Sequence, residues 1–350
     1  MNTVTISASK SYEVQISSGL LPQIGDKARK LVSSQKVAIV SDSNVWPIYG
    51  GAVTASLENA GFQVQHYVFP AGESSKNGQT FLSILNFLAE NKFTRSDLLI
   101  ALGGGVVGDI TGFAAATFLR GVSYIQVPTT LLSMVDSSVG GKTAIDLPAG
   151  KNLAGAFYQP ILVLCDIDTL STLPDQIFRE GCAEVIKYGI LYDAKLFAHL
   201  DEMGLAFDRE TVITRCIELK RDVVADDEFD RGARQMLNLG HTVGHGIEAA
   251  ADFALSHGTC VAIGTAIVTR AAEKLGFCTA ETNQTIQNIF RKFCLPISTD
   301  FNCMTIYNNA LSDKKRSGDT VNLIVPQEIG RCMIHKVSLD DMKTFIEAGL

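Results

Sequence analysis

The sequence predicts two domains: an α/β domain with a parallel sheet over residues 1–173, and an all-α domain over residues 174–350. The first observation is a rhythm of apolar β-type runs alternating with helical patterns, which is typical of a parallel sheet with right-handed crossovers. The second is that strand signals disappear after Pro174, apart from a late one at Val321–Val325. The length of 350 residues and a hydrophobic content of 46% allow a sizeable core in each domain.

Alternating and apolar runs predict the individual elements. Residues 2–6 and 12–17 alternate as a short hairpin does. Strands are predicted at 36–40, 63–69, 97–102, 123–127 and 161–165, with helices at 47–60, 78–91 and 110–119. Further helices are predicted at 176–192, 209–226, 238–251, 260–275 and 282–293, with one more at the C-terminus. Because clefts between domains are favoured ligand sites, we expect a site between the two halves.

Composition excludes several classes of protein. A formal net charge of −7 argues against nonspecific nucleic-acid binding, and no apolar run is as long as a membrane span. The N-terminus lacks the basic start and apolar run of a signal peptide. The 8 cysteines include no Cys-x-x-Cys pair, so we interpret them as reduced thiols. A cytoplasmic protein without nucleic-acid or membrane partners is therefore expected.

Two glycine-rich segments indicate phosphate or nucleotide binding. Gly103–Asp109 matches G-x-G-x-x-G between a strand and a helix, where backbone N–H groups can meet a pyrophosphate. It follows the third predicted strand of the α/β rhythm rather than the first, and no acidic residue lies about 20 positions on; Asp42 or Glu73 could contact the ribose instead. Ser137–Thr143 lacks the spacing of a nucleoside-triphosphate loop, although nearby lysines, as at Lys142, can bind phosphate.

Three histidines within seventeen residues indicate a metal site. His241 and His245 are four apart and share a helix face, and His257 follows after a break. Two imidazoles and a carboxylate would leave one zinc position open for substrate or water. Spacing alone does not decide which two histidines bind, although the paired i, i+4 arrangement favours the first two. Isolated helix histidines are usually satisfied by hydrogen bonds, but Arg234 and Asn238 lie beside this cluster.

Charged residues also interrupt predicted apolar faces. Lys220 lies in the apolar stripe of the 209–226 helix, where either its stem snorkels or its ammonium points into a cleft. Glu180, Glu184 and Lys187 share one face of the 176–192 helix. If that face meets the cleft, Glu184 can supply the carboxylate of the metal site; an exposed ion pair is the alternative.

Taken together, these motifs resemble the 3-dehydroquinate synthase family, over most of the chain. The matching stretches are Gly-Glu-Ser-Ser-Lys at 72–76, Gly-Gly-Gly-Val-Val-Gly-Asp at 103–109, Phe-Leu-Arg-Gly at 118–121, Pro-Thr-Thr-Leu-Leu at 128–132, Gly-Gly-Lys-Thr at 140–143, Gly-Lys-Asn at 150–152, Arg-Glu-Gly-Cys-Ala-Glu at 179–184 and Asn-Leu-Gly-His-Thr-Val-Gly-His at 238–245. Any one is weak alone, but in this order they are specific.

The resemblance implies a Rossmann-like NAD domain, a helical metal domain binding Zn²⁺ or Co²⁺, and a homodimer. It also implies conversion of 3-deoxy-D-arabino-heptulosonate 7-phosphate to 3-dehydroquinate and phosphate, with NAD⁺ reduced and regenerated in each turnover. The implied steps are transient oxidation, β-elimination of phosphate, reduction, ring opening and an intramolecular aldol closure. The substrate's own phosphate is the implied base for the elimination.

The resemblance assigns residues as well. The implied metal ligands are Glu184, His241 and His257, with His245 turned to substrate instead. The implied cofactor residues are Asp42, Glu73, Lys76, Gly104, Gly105, Val106, Val107, Gly108, Asp109, Thr129, Thr130, Lys142, Lys151, Thr169, Leu170, Ser171 and Thr172. The implied substrate residues are Lys142, Asn152 and His245 for phosphate, with Arg120 from the partner subunit, then Lys220, Arg234 and Asn238 for carboxylate, and Asp136 and Lys187 for hydroxyls. Asp230 stands where the family usually has Glu.

Two related activities are alternatives. A sister sugar-phosphate cyclase would act on sedoheptulose 7-phosphate or glucose 6-phosphate, which lack a carboxylate, and the presence of both Lys220 and Arg234 favours an acid. A metal-dependent polyol dehydrogenase would instead accumulate NADH with product. A non-catalytic NAD- or metal-binding regulator is an alternative from another class.

Overall fold

The first part of the chain builds a seven-stranded sheet. The computed structural model describes residues 1–252, 254–313 and 319–350. The sheet strands are β1 (Asn2–Ile6), β2 (Tyr12–Ser17), β3 (Lys36–Asp42), β4 (Gln63–Phe69), β5 (Leu98–Gly103), β6 (Ser123–Pro128) and β9 (Leu162–Asp166), while β7 (Lys142–Leu147) and β8 (Gly150–Phe157) form a separate hairpin. The sheet order is β1-β2-β9-β6-β5-β3-β4, and only β1 runs antiparallel to its neighbour.

Helices cover both faces of this sheet. They are α1 (Ile24–Leu31), α2 (Gly51–Asn59), α3 (Gly78–Glu90) and α4 (Gly105–Thr117). Alternate residues of β5 enter different cores: Leu98, Ile100 and Leu102 belong to one cluster, and Leu99 and Ala101 to the other. Burial on both faces explains why this strand is apolar throughout, as the sequence predicts.

The strand order also locates a binding edge. The five parallel strands from β3 onward are β3, β4, β5, β6 and β9 in the chain. Read from the β4 edge of the sheet, they lie in the order β4-β3-β5-β6-β9, which is 2-1-3-4-5 in chain order, so the order reverses between β3 and β5. Ligands of doubly wound sheets bind outside the carboxyl ends of the strands at such a reversal. Asp42 ends β3 and Gly103 ends β5, so both lie at this point. The topology therefore explains why the glycine-rich turn follows the third strand of the α/β rhythm.

The second part is mostly helical, and the predicted fold class is confirmed at that level. Its helices are α5 (Asp175–Tyr192), α6 (Ala194–Met203), α8 (His241–Ala250), α9 (His257–Lys274), α10 (Ala280–Lys292), α11 (Cys303–Asp313) and α12 (Leu339–Gly349). One antiparallel hairpin, β10 (Thr320–Glu328) with β11 (Arg331–Ser338), is the exception to an all-α description. In the described residues, every helix is too short or too polar to cross a membrane.

The remaining helix, α7 (Arg209–Asp226), belongs to a different unit from the one predicted. One compact unit comprises residues 1–174 with 209–229, and the other comprises 175–208 with 230–350. The predicted second domain, in contrast, comprises everything after residue 173. The apolar face of α7, including Val212, Ile213 and Ile217, is buried, and the helix contacts β1 and β2 of the sheet. Hydrophobic periodicity predicts that a helix packs, but not on which partner.

Candidate metal centre and nucleotide turn

Close helix packing brings the histidines together. Gly240 has a φ of +76°, a left-handed conformation suited to glycine, and α8 begins directly after it. A Cβ on Gly264 of α9 would lie 2.2 Å from the Gly240 carbonyl oxygen, and one on Gly244 would lie 2.8 Å from that of Cys260. A Cβ on Gly258 would lie 2.1 Å from the carbonyl oxygen of Glu180 on α5. The three helices therefore approach at positions where only glycine fits.

This packing aims two imidazoles at one buried carboxylate. The side chain of Glu184 on α5 is fully buried. Its Oε1 lies 3.5 Å from His241 Nε2 and 3.3 Å from His257 Nε2. One donor atom from each of these residues lies within 4.8 Å of the others. Lys187, one turn further along α5, forms an ion pair with Oε2 of the same carboxylate.

The other ring nitrogens of these two histidines also face oxygens. His241 Nδ1 lies 3.0 Å from the carbonyl oxygen of Leu239, and His257 Nδ1 lies 3.7 Å from Oε2 of Glu248. Burial lowers the pKa of His257, but Glu184 and Glu248 outweigh burial and raise that pKa to about 9. For His241, burial and the nearby ammonium of Lys187 lower the pKa well below its ordinary value. A neutral imidazole is the form that binds metal.

The donor set fits a divalent zinc-like ion. Two imidazole nitrogens and one carboxylate oxygen are a common protein set for catalytic zinc, which leaves a position for substrate. The three residues are those that the family resemblance implies. His245, which the i, i+4 spacing alone favours, instead forms a second potential donor group with Glu248 and His257. The structure therefore brings His241 to Glu184 together with His257 rather than with its helical neighbour.

The glycine-rich turn packs closely against side chains of neighbouring segments. A Cβ on Gly104 would lie 3.1 Å from Cγ2 of Thr130, and one on Gly105 would lie 3.2 Å from Oγ of Ser137. A Cβ on Gly108 would lie 2.6 Å from Oε1 of Gln126. The 13-residue helix α4 begins within this turn, so its N-terminal N–H groups and dipole point toward the end of β5. A pyrophosphate fits this chemistry.

Several predicted cofactor residues surround the turn. The Lys76 ammonium lies 2.6 Å from Oδ2 of Asp109 and donates to Oδ1 of Asn152 at 2.5 Å. Burial lowers the pKa of Lys76, but Asp109 and Glu73 outweigh it and raise this pKa, so the ammonium stays charged. Lys151 Nζ lies 3.3 Å from Oε1 of Glu73. An open cavity of about 460 Å³ is lined by Glu73 and Lys76 among others.

A 3₁₀ segment, Ile167–Thr172, holds the last predicted cofactor residues, Thr169 to Thr172. The Tyr49 hydroxyl lies 2.5 Å from Oγ1 of Thr172 and donates to the carbonyl oxygen of Thr169 at 3.2 Å. Tyr49 follows β3, so it ties this segment to the strand that ends at Asp42. Tyr49 is not among the predicted site residues, because a lone tyrosine at a helix start carries no distinguishing pattern.

Among predicted substrate residues, Lys220 and Asp136 contact each other. Lys220 is buried, and its Nζ lies 2.7 Å from Oδ1 and 2.6 Å from the carbonyl oxygen of Asp136. Its ammonium is thus held within the first unit, so the snorkelling alternative, in which the ammonium reaches the solvent, does not apply. In contrast, Lys142 and Asn152 lie at opposite ends of the β7–β8 hairpin, because Lys142 pairs with Phe157. Their common role at one phosphate therefore stays a prediction.

The remaining predicted residues are divided between the two units. Arg234 and Asn238 lie on the 3₁₀ segment Ala233–Asn238 before α8, and the Arg234 side chain is buried. Arg120 is exposed on the turn after α4, where it has a left-handed φ of +65°. Val106 and Val107 lie in the first turn of α4, and Thr129 follows β6.

Comparison with known proteins decides the family. The models of the N-terminal and C-terminal 3-dehydroquinate synthase regions match residues 66–180 and 181–316. The 3-dehydroquinate synthase of Clostridium acetobutylicum is 44% identical over 333 residues, covering 93% of this chain and 94% of that protein. The chain belongs to the 3-dehydroquinate synthase family. The resemblance recognised from its motifs is thereby confirmed.

Solved structures of sugar-phosphate cyclases share the fold of this 3-dehydroquinate synthase family member. A 2-epi-5-epi-valiolone synthase from Streptomyces hygroscopicus, solved with NAD⁺ and Zn²⁺ bound, is 26% identical with a TM-score of 0.90, covering 99% of this chain and 97% of that one. A 2-deoxy-scyllo-inosose synthase, complexed with carbaglucose-6-phosphate, NAD⁺ and Co²⁺, is 24% identical with a TM-score of 0.89 over the whole of both chains. The latter supports the fold alone.

Proposed function

We propose that the chain is a 3-dehydroquinate synthase, a lyase that converts 3-deoxy-D-arabino-heptulosonate 7-phosphate to 3-dehydroquinate and phosphate. The observation that carries the proposal is the pair of imidazoles facing buried Glu184, in a chain 44% identical to a curated synthase. Bound Zn²⁺ or Co²⁺ would supply a Lewis acid, and bound NAD⁺ would supply a reversible hydride acceptor.

The metal would be held by Glu184, His241 and His257. The carboxylate is already buried and fixed by Lys187, so little reorganisation accompanies binding. The Lys187 ammonium lies beside the ligand oxygen and can therefore donate to a substrate hydroxyl bound next to the metal. The ring centroid of His245 lies 5.4 Å from that of His241 and 5.7 Å from that of His257, so His245 borders the metal position.

The nucleotide would be bound by the turn Gly103–Asp109. Backbone N–H groups of α4 would bind the pyrophosphate, and Asp42 lies at the end of β3, where a ribose or adenosine contact is expected. Lys76 links Asp109 at this turn to Asn152 on β8. Because Lys76 occupies the carboxamide oxygen of Asn152, the amide nitrogen of that side chain is the group available to an anion.

Cationic groups would bind the two acidic ends of the substrate. Lys142, Asn152 and His245 are proposed for phosphate, and Lys220, Arg234 and Asn238 for carboxylate. The Asp136 carboxylate orients the Lys220 ammonium at 2.7 Å and is proposed to accept from a ring hydroxyl. Sedoheptulose 7-phosphate and glucose 6-phosphate lack a carboxylate, so the presence of both buried cations, Lys220 and Arg234, favours the acid substrate over the sister activities.

A homodimer with Arg120 donated to the neighbouring site is part of the proposal. Leu119 and Arg120 both have left-handed φ angles, of +49° and +65°, and Arg95 donates two hydrogen bonds to the Leu119 carbonyl oxygen. A left-handed conformation costs energy at a non-glycine residue and is often retained for a function. The exposed Arg120 in this fixed turn therefore fits a role in the neighbouring subunit. The protein is also proposed to act in the cytoplasm.

Side-by-side assays with three sugars test the substrate. The purified protein, supplied with NAD⁺ and Zn²⁺ or Co²⁺, is expected to release phosphate from the heptulosonate 7-phosphate at least about 100-fold faster than from sedoheptulose 7-phosphate or glucose 6-phosphate, because a site built to bind a polar group of its substrate discriminates strongly against analogues that lack this group. Equal or faster turnover of either sugar phosphate that lacks the carboxylate would assign the chain to a sister cyclase. NADH accumulating with product would assign it to a dehydrogenase.

A further inference from the structure

The side chain of Glu248 is a buried carboxylate beside the proposed metal centre. Glu248 lies on α8 seven residues after His241 and three after His245, so the three side chains share one helix face. It is only 3% exposed. A buried carboxylate is costly unless a charged or hydrogen-bonding partner compensates, so its position calls for a partner.

One such partner is the ring of His257. Glu248 Oε2 lies 3.7 Å from His257 Nδ1, on the side of the imidazole opposite to Nε2, which faces Glu184 at 3.3 Å. The imidazole is therefore held between two carboxylates, one toward each nitrogen. The 3.7 Å separation is a charge-pairing distance, and a shift of about 0.5 Å would bring it within the range of a hydrogen bond.

His241 has a matching arrangement with a neutral partner. Its Nε2 faces Glu184, and its Nδ1 lies 3.0 Å from the carbonyl oxygen of Leu239. Both imidazoles thus present Nε2 to the same carboxylate while Nδ1 faces an oxygen. Metal-binding histidines usually donate their other N–H to a carboxylate or carbonyl, which fixes the tautomer and the ring orientation and strengthens the ligand.

We propose that Glu248 is a positioning residue that holds His257 with its Nδ1–H toward the carboxylate and its Nε2 lone pair toward the metal. The inference rests on the proposed function, because it takes Glu184, His241 and His257 as the metal ligands. Glu248 acts through His257 and does not itself bind the metal. Removing it leaves all three ligands in the chain but frees the ring to rotate and weakens its basicity.

Metal-binding measurements on isosteric variants test this role. Metal-free wild type, Glu248→Gln and Glu248→Ala are titrated with Zn²⁺ and Co²⁺ against a chromophoric chelator. We expect the metal Kd to rise about 10- to 100-fold in Glu248→Ala. In Glu248→Gln, whose amide oxygen can still accept from Nδ1–H, the rise should be smaller. The exposed Glu202→Gln on α6 is the matched control and should bind as wild type does.

The Co²⁺ absorption spectrum separates positioning from general damage. The Glu248 variants should bind one Co²⁺ per chain with shifted visible bands, while far- and near-ultraviolet circular dichroism stays that of wild type. A wild-type Kd in Glu248→Ala would overturn the proposal. So would two metal ions per wild-type chain with one lost in Glu248→Ala, because Glu248 would then be a ligand. A wild-type chain that binds no metal would instead refute the proposed function itself.

Discussion

Replacing Gly258 by alanine tests whether helix packing builds the metal site. The added methyl would lie 2.1 Å from the carbonyl oxygen of Glu180 and 2.7 Å from its carbonyl carbon. Ordinary contact distances are about 3.5 Å, so α5 and α9 must separate by about 1 Å at this point. His257 is the preceding residue, and metal–ligand distances tolerate only about 0.2 Å. The perturbation therefore falls beside His257 and one helical turn before Glu184.

We expect Gly258→Ala to raise the Zn²⁺ Kd at least about tenfold, equivalent to about 1.4 kcal/mol, and to lower the free energy of unfolding by about 1–3 kcal/mol. Competition with a chelator measures the Zn²⁺ Kd, and urea unfolding of the metal-free chain measures the free energy of unfolding. Gly51→Ala is the matched control, because a Cβ there meets nothing within 4 Å. A wild-type Kd in Gly258→Ala would refute the reasoning that this contact sets the ligand geometry.

Three further predictions concern charge and assembly. Lys220→Met removes the ammonium that contacts Asp136 and should lower the free energy of unfolding by about 3 kcal/mol. The double variant Lys220→Met/Asp136→Leu should recover at least half of that loss. Equal losses for the single and the double variant in urea unfolding would contradict the pairing. Co-expressed Arg120→Ala and His257→Ala chains should regain about a quarter of wild-type activity if Arg120 acts across a dimer, because half of the dimers are mixed and each has one intact site; no recovery would place Arg120 in its own subunit's site. Because carboxylates raise the pKa of His257 to about 9, its proton competes with metal: the Zn²⁺ Kd should fall about tenfold per pH unit from 6.5 to about 9 and then level off, and a flat profile would contradict this. The same raised pKa makes this histidine's contribution to metal-free stability present below about pH 6.5 and lost as pH rises through about 9.

The sheet was predictable wherever burial leaves a periodic signal. The predicted spans 2–6, 12–17 and 63–69 coincide with β1, β2 and β4, and the other sheet strands differ by one or two residues at their ends. The β7–β8 hairpin was missed because no regular alternation of buried and exposed residues marks β8, and glycines weaken its strand pattern. Helices α6 and α11 were missed as well. Helix α11 packs mainly on α8, which lies far away in sequence, whereas α6 packs mainly on the preceding helix α5.

The metal site shows where local reasoning ends. The i, i+4 spacing correctly groups His241 and His245 on one helix face, but the choice of His257 depends on how α9 meets α5 at Gly258. That contact joins residues more than 70 positions apart, so spacing carries no information about it. Glu248 did leave a signal, because it lies at i+7 from His241, yet a glutamate on a helix face is usually an exposed residue.

Parallel traces of phosphate release and NADH absorbance test the central claim most directly. The metal-loaded protein with NAD⁺ and 3-deoxy-D-arabino-heptulosonate 7-phosphate should release many equivalents of phosphate per chain, while NADH never exceeds one equivalent per chain. Chelation of the metal should stop the phosphate release, and added Zn²⁺ or Co²⁺ should restore it. The His257→Ala variant should remain inactive both with the chelator and with added metal. Absence of phosphate release with metal and NAD⁺ present, or NADH rising in step with phosphate, would contradict the account.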